Sequence, residues 1–102
     1  MVIEWLKVRV SPELRERFIH KDAEIWTPML ASCRGFISKE VWIDPATPTE
    51  VVLLIRWETH EDWKSIPAER LAEVQQNFER QFGEDYQIIE TAEYQVRKFP
   101  VL

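Results

Sequence analysis

Asp22 is the most informative chemical group in this chain of 102 residues. Leu14, Phe18, Ile25 and Met29 recur at helical spacing, with Ile19, Trp26 and Leu30 widening the same stripe. Asp22 projects about 80° round the helix from Leu14, inside that apolar arc and between Phe18 and Trp26. A carboxylate so placed must be hydrogen-bonded, neutral, or facing a cavity. As a base with a raised pKa it would take a proton from a phenol or an enol. As a structural acceptor it would instead hold an indole N–H, or Arg15 on the same arc.

Five tryptophans form the second group, with Trp5, Trp42 and Trp57 in strand-like runs and Trp26 and Trp63 in helical ones. Trp57, Trp26, Trp63 and Trp5 are candidates for binding a flat organic substrate and excluding water from it. The competing role is to fill the core and an intersubunit interface. Trp57 ranks first because it stands at a strand end where a helix begins.

The remaining groups exclude more than they offer. His20 projects about 240° from the start of the apolar arc, on the polar side. His60 lies at a helix start, where a cation is disfavoured. Two histidines and one cysteine without ligand spacing give no metal site. Cys33 reads as a small buried hydrophobe, and two isolated glycines cannot make a phosphate loop. No cofactor is expected.

The elements that position these residues follow from punctuation and periodicity. A strand over Val2 to Val10 ends at Ser11-Pro12, an N-cap and a first-turn proline followed by Glu13. The helix it opens meets Thr27-Pro28, which either kinks it or starts a second short helix. Gly35 is expected to terminate the run. Phe36 to Asp44 and Glu50 to Glu58 read as strands joined by a loop with two prolines. Thr59 is expected to cap a helix opening at His60, and Pro67 to break or restart it. The stripe Leu71, Val74, Phe78 and Phe82 is helical up to Gly83, and Tyr86 to Phe99 is the last strand.

The order β-α-β-β-α-β predicts one α+β domain over residues 1–102, with a four-stranded antiparallel-type sheet and its helices on one face. Strand three is apolar on both faces: Val51, Leu53, Ile55 and Trp57 on one, Val52 and Leu54 on the other. Strand one sets Ile3 and Trp5 opposite Leu6, Val8 and Val10. One layer of helices cannot cover both faces, so a second copy is expected, packed sheet to sheet about a two-fold axis. A monomer with a half-apolar outer face is the alternative.

A net charge of −5 disfavours nucleic acid and anionic lipid as partners. The N-terminal run carries Glu4, Lys7 and Arg9 and is too short and charged for a signal peptide or a membrane span. A single cysteine precludes an intrachain disulfide, in keeping with a cytoplasmic protein.

The Gly35-Phe36 turn into strand two and the run Arg56 to Pro67, RWETHEDWKSIP, resemble the dimeric α/β barrel superfamily over nearly the whole chain. The antibiotic-biosynthesis-monooxygenase-like group is the nearest fit, and within it a short family best known from cyanobacteria. The resemblance implies a ferredoxin-like protomer, a homodimer, and a cavity between sheet and helices for a small apolar or aromatic ligand. It also implies a cofactor-independent monooxygenase, which deprotonates an electron-rich aromatic or enolisable substrate so that the carbanion itself reduces oxygen. A non-catalytic ligand-binding or regulatory dimer of the same fold is the competing expectation. Haem-degrading members resemble one another in an Asn on strand one, a Trp near the end of strand three and a His on the next helix. Trp57 matches the second, but strand one has no Asn and the run Glu61 to Phe82 no His. That activity is therefore not carried over.

Overall fold

A computed structural model describes residues 1–98. Seven elements follow one another: β1 (Val2–Val10), α1 (Pro12–Ala31), β2 (Phe36–Trp42), β3 (Glu50–Trp57), α2 (His60–Lys64), α3 (Ala68–Phe82) and β4 (Tyr86–Gln95). The strands form one sheet in the order β2-β3-β1-β4, with every neighbouring pair antiparallel. This is the ferredoxin-like α+β fold expected from the element order, with the second helical region divided in two.

The divisions have local causes. Ser11 stands at the N-cap of α1 in extended conformation, but its side chain makes no capping bond. Its carbonyl accepts from Leu14 N at 3.0 Å, and Pro12, which has no N–H to satisfy, takes the first turn. Pro28 neither ends α1 nor starts another helix; the helix runs through it to Ala31. The closing turn is bound by Ser32 N to the carbonyls of Pro28 and Met29 at 3.2 and 3.1 Å. Gly35 therefore does not terminate α1. It lies at φ +82° in the turn before β2, and its carbonyl accepts from Glu58 N at 2.7 Å.

Thr59 caps α2 as expected, its hydroxyl accepting from Asp62 N at 3.0 Å. Pro67 then separates α2 from α3. β2 stops at Trp42, two residues short of Asp44. There the Asp44 carboxylate accepts from Ala46 N at 2.9 Å and draws the chain into a turn. β3 ends at Trp57 and β4 at Gln95. The expected strand end at Phe99 lies outside the described residues.

The core lies between the sheet and the helices. Val8, Val10, Val51, Ile55 and Trp57 from the sheet pack with Phe18, Met29, Leu30 and Phe78 from the helices. Phe18, Phe78, Phe82 and Tyr86 close one end, with ring centroids 5.4 to 5.9 Å apart and mostly edge-to-face. Phe78, buried in that cluster, is the anchor of the stripe that drives α3 onto the sheet.

Candidate functional site

A cavity of about 380 Å³ opens within this layer, between the helix-facing side of the sheet and the three helices. Such a volume suits a small organic molecule. Its floor follows from strand alternation. Glu4, Leu6 and Val8 are in phase along β1, and Leu53 and Ile55 along β3. Its roof comes from Phe18, Asp22 and Trp26 on α1, Trp63 and Lys64 on α2, and Leu71 on α3.

Most of this wall is apolar, so its charged groups stand out. Asp22 is 2 % exposed, inside the apolar arc where helical periodicity sets it. Its partner is neither Arg15 nor an indole N–H. Lys39 of β2 brings Nζ to 2.6 Å from Oδ2, and both side chains are almost wholly enclosed. The contact is ionic and off-axis, since Oδ2 has no well-aligned hydrogen bond. Burial pushes the Asp22 carboxyl above its ordinary range, and the Lys39 charge works against that rise. Arg15 turns away to Glu16 at 3.4 Å.

Glu4 occupies the opposite wall. Its Oε1 accepts from Trp57 Nε1 at 3.2 Å, and among the described residues no cation pairs with it directly. Burial raises its pKa, partly countered by the Trp57 indole and by the more distant charges of Lys64 and Lys39, while Glu93 adds to the rise. The sheet register makes this coupling inevitable. Lys39 pairs with Ile55, Ile55 with Glu4, and Glu4 with Glu93, so the four side chains form one row across the sheet. Glu93 at the edge is held below the usual carboxylate range by Lys64, with His60 helping.

The tryptophans divide. Trp26 and Trp63 line the cavity. Lys64 lies 4.0 Å over the Trp63 ring, which sets both at the cavity mouth. Trp57, the first-ranked candidate, is fully enclosed behind the wall, edge-on to Phe36. It shares the strand phase of Leu53 and Ile55, which do line the cavity, but it lies beyond them at the end of β3, and its link to the lining is the hydrogen bond to Glu4. Trp5 faces the other side of the sheet, in an open groove with Ile3, Trp42, Leu54 and Tyr94. Asp22, Trp26 and Trp63 thus converge on one space, whereas Trp57 and Trp5 do not line it.

Glu4 and Lys39 were not foreseen as site residues. Glu4 carried a signal, being in phase with Leu6, Val8 and Val10. Lys39 carried none, because the β2 register shifts between Phe36 and Ser38 and resets the alternation. No group of three or more His, Cys, Asp or Glu side chains among the described residues could hold a metal ion, and no described helix is long and apolar enough to cross a membrane.

The family model for antibiotic biosynthesis monooxygenases matches residues 1–66, which run from β1 through α2. The chain belongs to this family. As a member of the antibiotic biosynthesis monooxygenase family it shares its fold with several solved structures. A monooxygenase from the gene ActVA-Orf6 of Streptomyces coelicolor, solved with the ligand nanaomycin D, superposes with a TM-score of 0.75 at 13% identity, over 99% of this chain and 91% of that one. SnoaB, a cofactor-independent oxygenase from Streptomyces nogalater, gives 0.66 at 14% identity, over 96% and 94%. A conserved protein from Methanosarcina mazei gives 0.65 at 17%, over 91% and 89%. No curated protein matches the chain.

Proposed function

We propose that this antibiotic biosynthesis monooxygenase family member is a homodimeric, cofactor-independent oxygenase of a flat aromatic or enolisable molecule, bound in the cavity between sheet and helices. The observation that carries the reading is the enclosed Asp22 carboxylate in a mostly apolar wall. Burial keeps it basic, and Lys39 at 2.6 Å favours its ionised form. Asp22 takes a proton from an activated CH₂ of the substrate, and Trp26 and Trp63 hold the ring and exclude water. The carbanion gives one electron to O₂, and the resulting pair combines to form a C–O bond. The hydroperoxide then takes up the proton and loses water, so that R₂CH₂ + O₂ becomes R₂C=O + H₂O.

A second copy covers the outer face of the sheet. Ile3, Trp5 and Leu54 lie there beside Trp42 and Tyr94, which are 45% and 59% exposed. An apolar face of this kind is rarely left to water. Sedimentation equilibrium at micromolar concentration should give twice the 12.2 kDa chain mass, and a single species at the chain mass would remove the dimer.

Oxygen uptake with anthrone as probe tests the chemistry. One O₂ should be consumed per anthraquinone formed, and Asp22→Asn should slow turnover about 100-fold or more while anthrone still binds. Turnover equal to that of buffer alone, or an Asp22→Asn enzyme of full activity, would overturn the reading.

A further inference from the structure

We infer that Glu4 is a hydrogen-bond donor of the cavity to a ligand oxygen, so that the molecule held there carries a carbonyl or enol oxygen on its flat frame. The inference rests on the cavity being a ligand site, though not on any oxygen chemistry within it.

The geometry of Glu4 is unusual for a structural carboxylate. It stands on β1, one of the two inner strands, with its side chain in the cavity wall. One oxygen is committed, Oε1 accepting the Trp57 indole N–H at 3.2 Å. That donor comes from 53 residues away and has no freedom to move, because Trp57 is completely enclosed. The carboxyl group is thereby oriented, leaving its second oxygen without a partner among the described residues. This half-buried carboxyl lacks the direct cation that Asp22 has in Lys39, so its ionised form is less well compensated. Its neutral form, however, is a good donor, with one O–H free to point at whatever fills the cavity.

The electrostatics agree. Lys64 from α2 and Lys39 from β2 act on Glu4 from a distance in favour of ionisation, and Glu93 from β4 acts against it. Burial exceeds them all and favours the protonated form. Asp22 on α1 shares the cavity but is neutralised by Lys39. The two carboxyls therefore divide the work, the ion-paired one as acceptor of a proton and the unpaired one as donor of a hydrogen bond. An enolate oxygen formed on deprotonation would gain most from such a donor, since hydrogen bonds to charge are the stronger ones.

Fluorenone and fluorene are a matched pair of probes, sharing a frame and differing in a carbonyl against a CH₂. Their affinities can be read from quenching of Trp26 and Trp63 fluorescence, with Glu4→Gln and Glu4→Leu as variants. A glutamine offers its carbonyl to the Trp57 indole and its NH₂ to the cavity, so it preserves the donor and removes the titration. The fluorenone-to-fluorene affinity ratio should be about fivefold higher in wild type than in Glu4→Leu, the worth of one buried hydrogen bond. Glu4→Gln should keep the wild-type ratio. Raising the pH should lower the ratio in wild type as Glu4 ionises, and leave it unchanged in Glu4→Gln.

Equal ratios in wild type and Glu4→Leu would overturn the assignment of Glu4 and leave the cavity as a ligand site. So would a Glu4→Gln protein that loses the preference as Glu4→Leu does. If neither probe bound wild type at all, the ligand cavity itself would fall, and the role of Glu4 with it.

Discussion

Replacing Lys39 by methionine keeps the length of the side chain and removes the only cation in contact with Asp22 among the described residues. At 2.6 Å and an effective dielectric constant of about 20, the two charges attract by about 6 kcal/mol. Desolvation of both groups offsets part of this, and breaking buried pairs costs about 3–5 kcal/mol in general. Linkage sets a separate ceiling. The stranded carboxylate can always take up a proton, and holding it neutral at pH 7 against its ordinary value of 3.8 costs about 4.4 kcal/mol, at 1.36 kcal/mol per pH unit. Lys39→Met should therefore lose about 3–4 kcal/mol at pH 7. The loss should shrink by up to about 1.4 kcal/mol for each unit the pH is lowered, and largely disappear near pH 4. Urea unfolding at pH 7, 6 and 5, at one protein concentration so that the proposed association enters equally, measures this directly. Adding Asp22→Asn to Lys39→Met should recover most of the stability at pH 7 and remove the pH dependence of the difference. A loss below about 1 kcal/mol at pH 7, or one that does not change with pH, would refute the buried pair as the reason Asp22 tolerates its site.

Three further outcomes are expected. Gly35→Ala should destabilise by about 2 kcal/mol or more, because φ is +82° and a Cβ would lie 2.3 Å from the Asp62 carboxylate; a thermal melt within 1 °C of wild type would contradict this. Leu54→Glu should turn the proposed dimer into monomers with the ligand cavity intact, visible by sedimentation and by unchanged probe binding. Wild-type stability should decline as pH rises above about 4, because Asp22 and Glu4 bind protons more tightly when folded than at their ordinary values of 3.8 and 4.5. Glu24, Glu40 and Glu93 have lowered folded values and add stability that is lost only at lower pH. Calorimetry between pH 4 and 7 separates the two trends, and a steady rise over that range would contradict the assignment.

Residue phase decided what could be read in advance. Asp22 was legible because a helix of 20 residues fixes the direction of each side chain, and its place in the apolar arc survives the proline at position 28. Its partner was not, since a short strand with a shifted register gives no reliable inward face. Trp57 shows the limit from the other side. Alternation correctly grouped it with Val51, Leu53 and Ile55, but position at a strand end does not distinguish a cavity wall from the core behind it. Whether Pro28 bends or breaks a helix likewise depends on tertiary context, and here the helix runs through it to Ala31. The order of elements, fixed by Ser11-Pro12, Thr59 and Gly83, was legible throughout.

The strand order β2-β3-β1-β4 places the first strand of the chain beside the last described one. In folding terms, the β2–β3 hairpin closes over a short loop, whereas β1 must wait for β4 across two helical crossovers. Pairings so distant in sequence form slowly, because the entropy of closing the intervening chain is lost before any contact rewards it. Pulse-labelling hydrogen exchange should find β2 and β3 amides protected before the β1 amides that face β4, and simultaneous protection would count against this order. During synthesis β1 therefore emerges first and is completed last. In that interval it offers an unpaired edge beside the apolar outer face of β3, two surfaces that favour association with other chains. The closing strand is thus a safeguard against aggregation as well as a wall of the cavity.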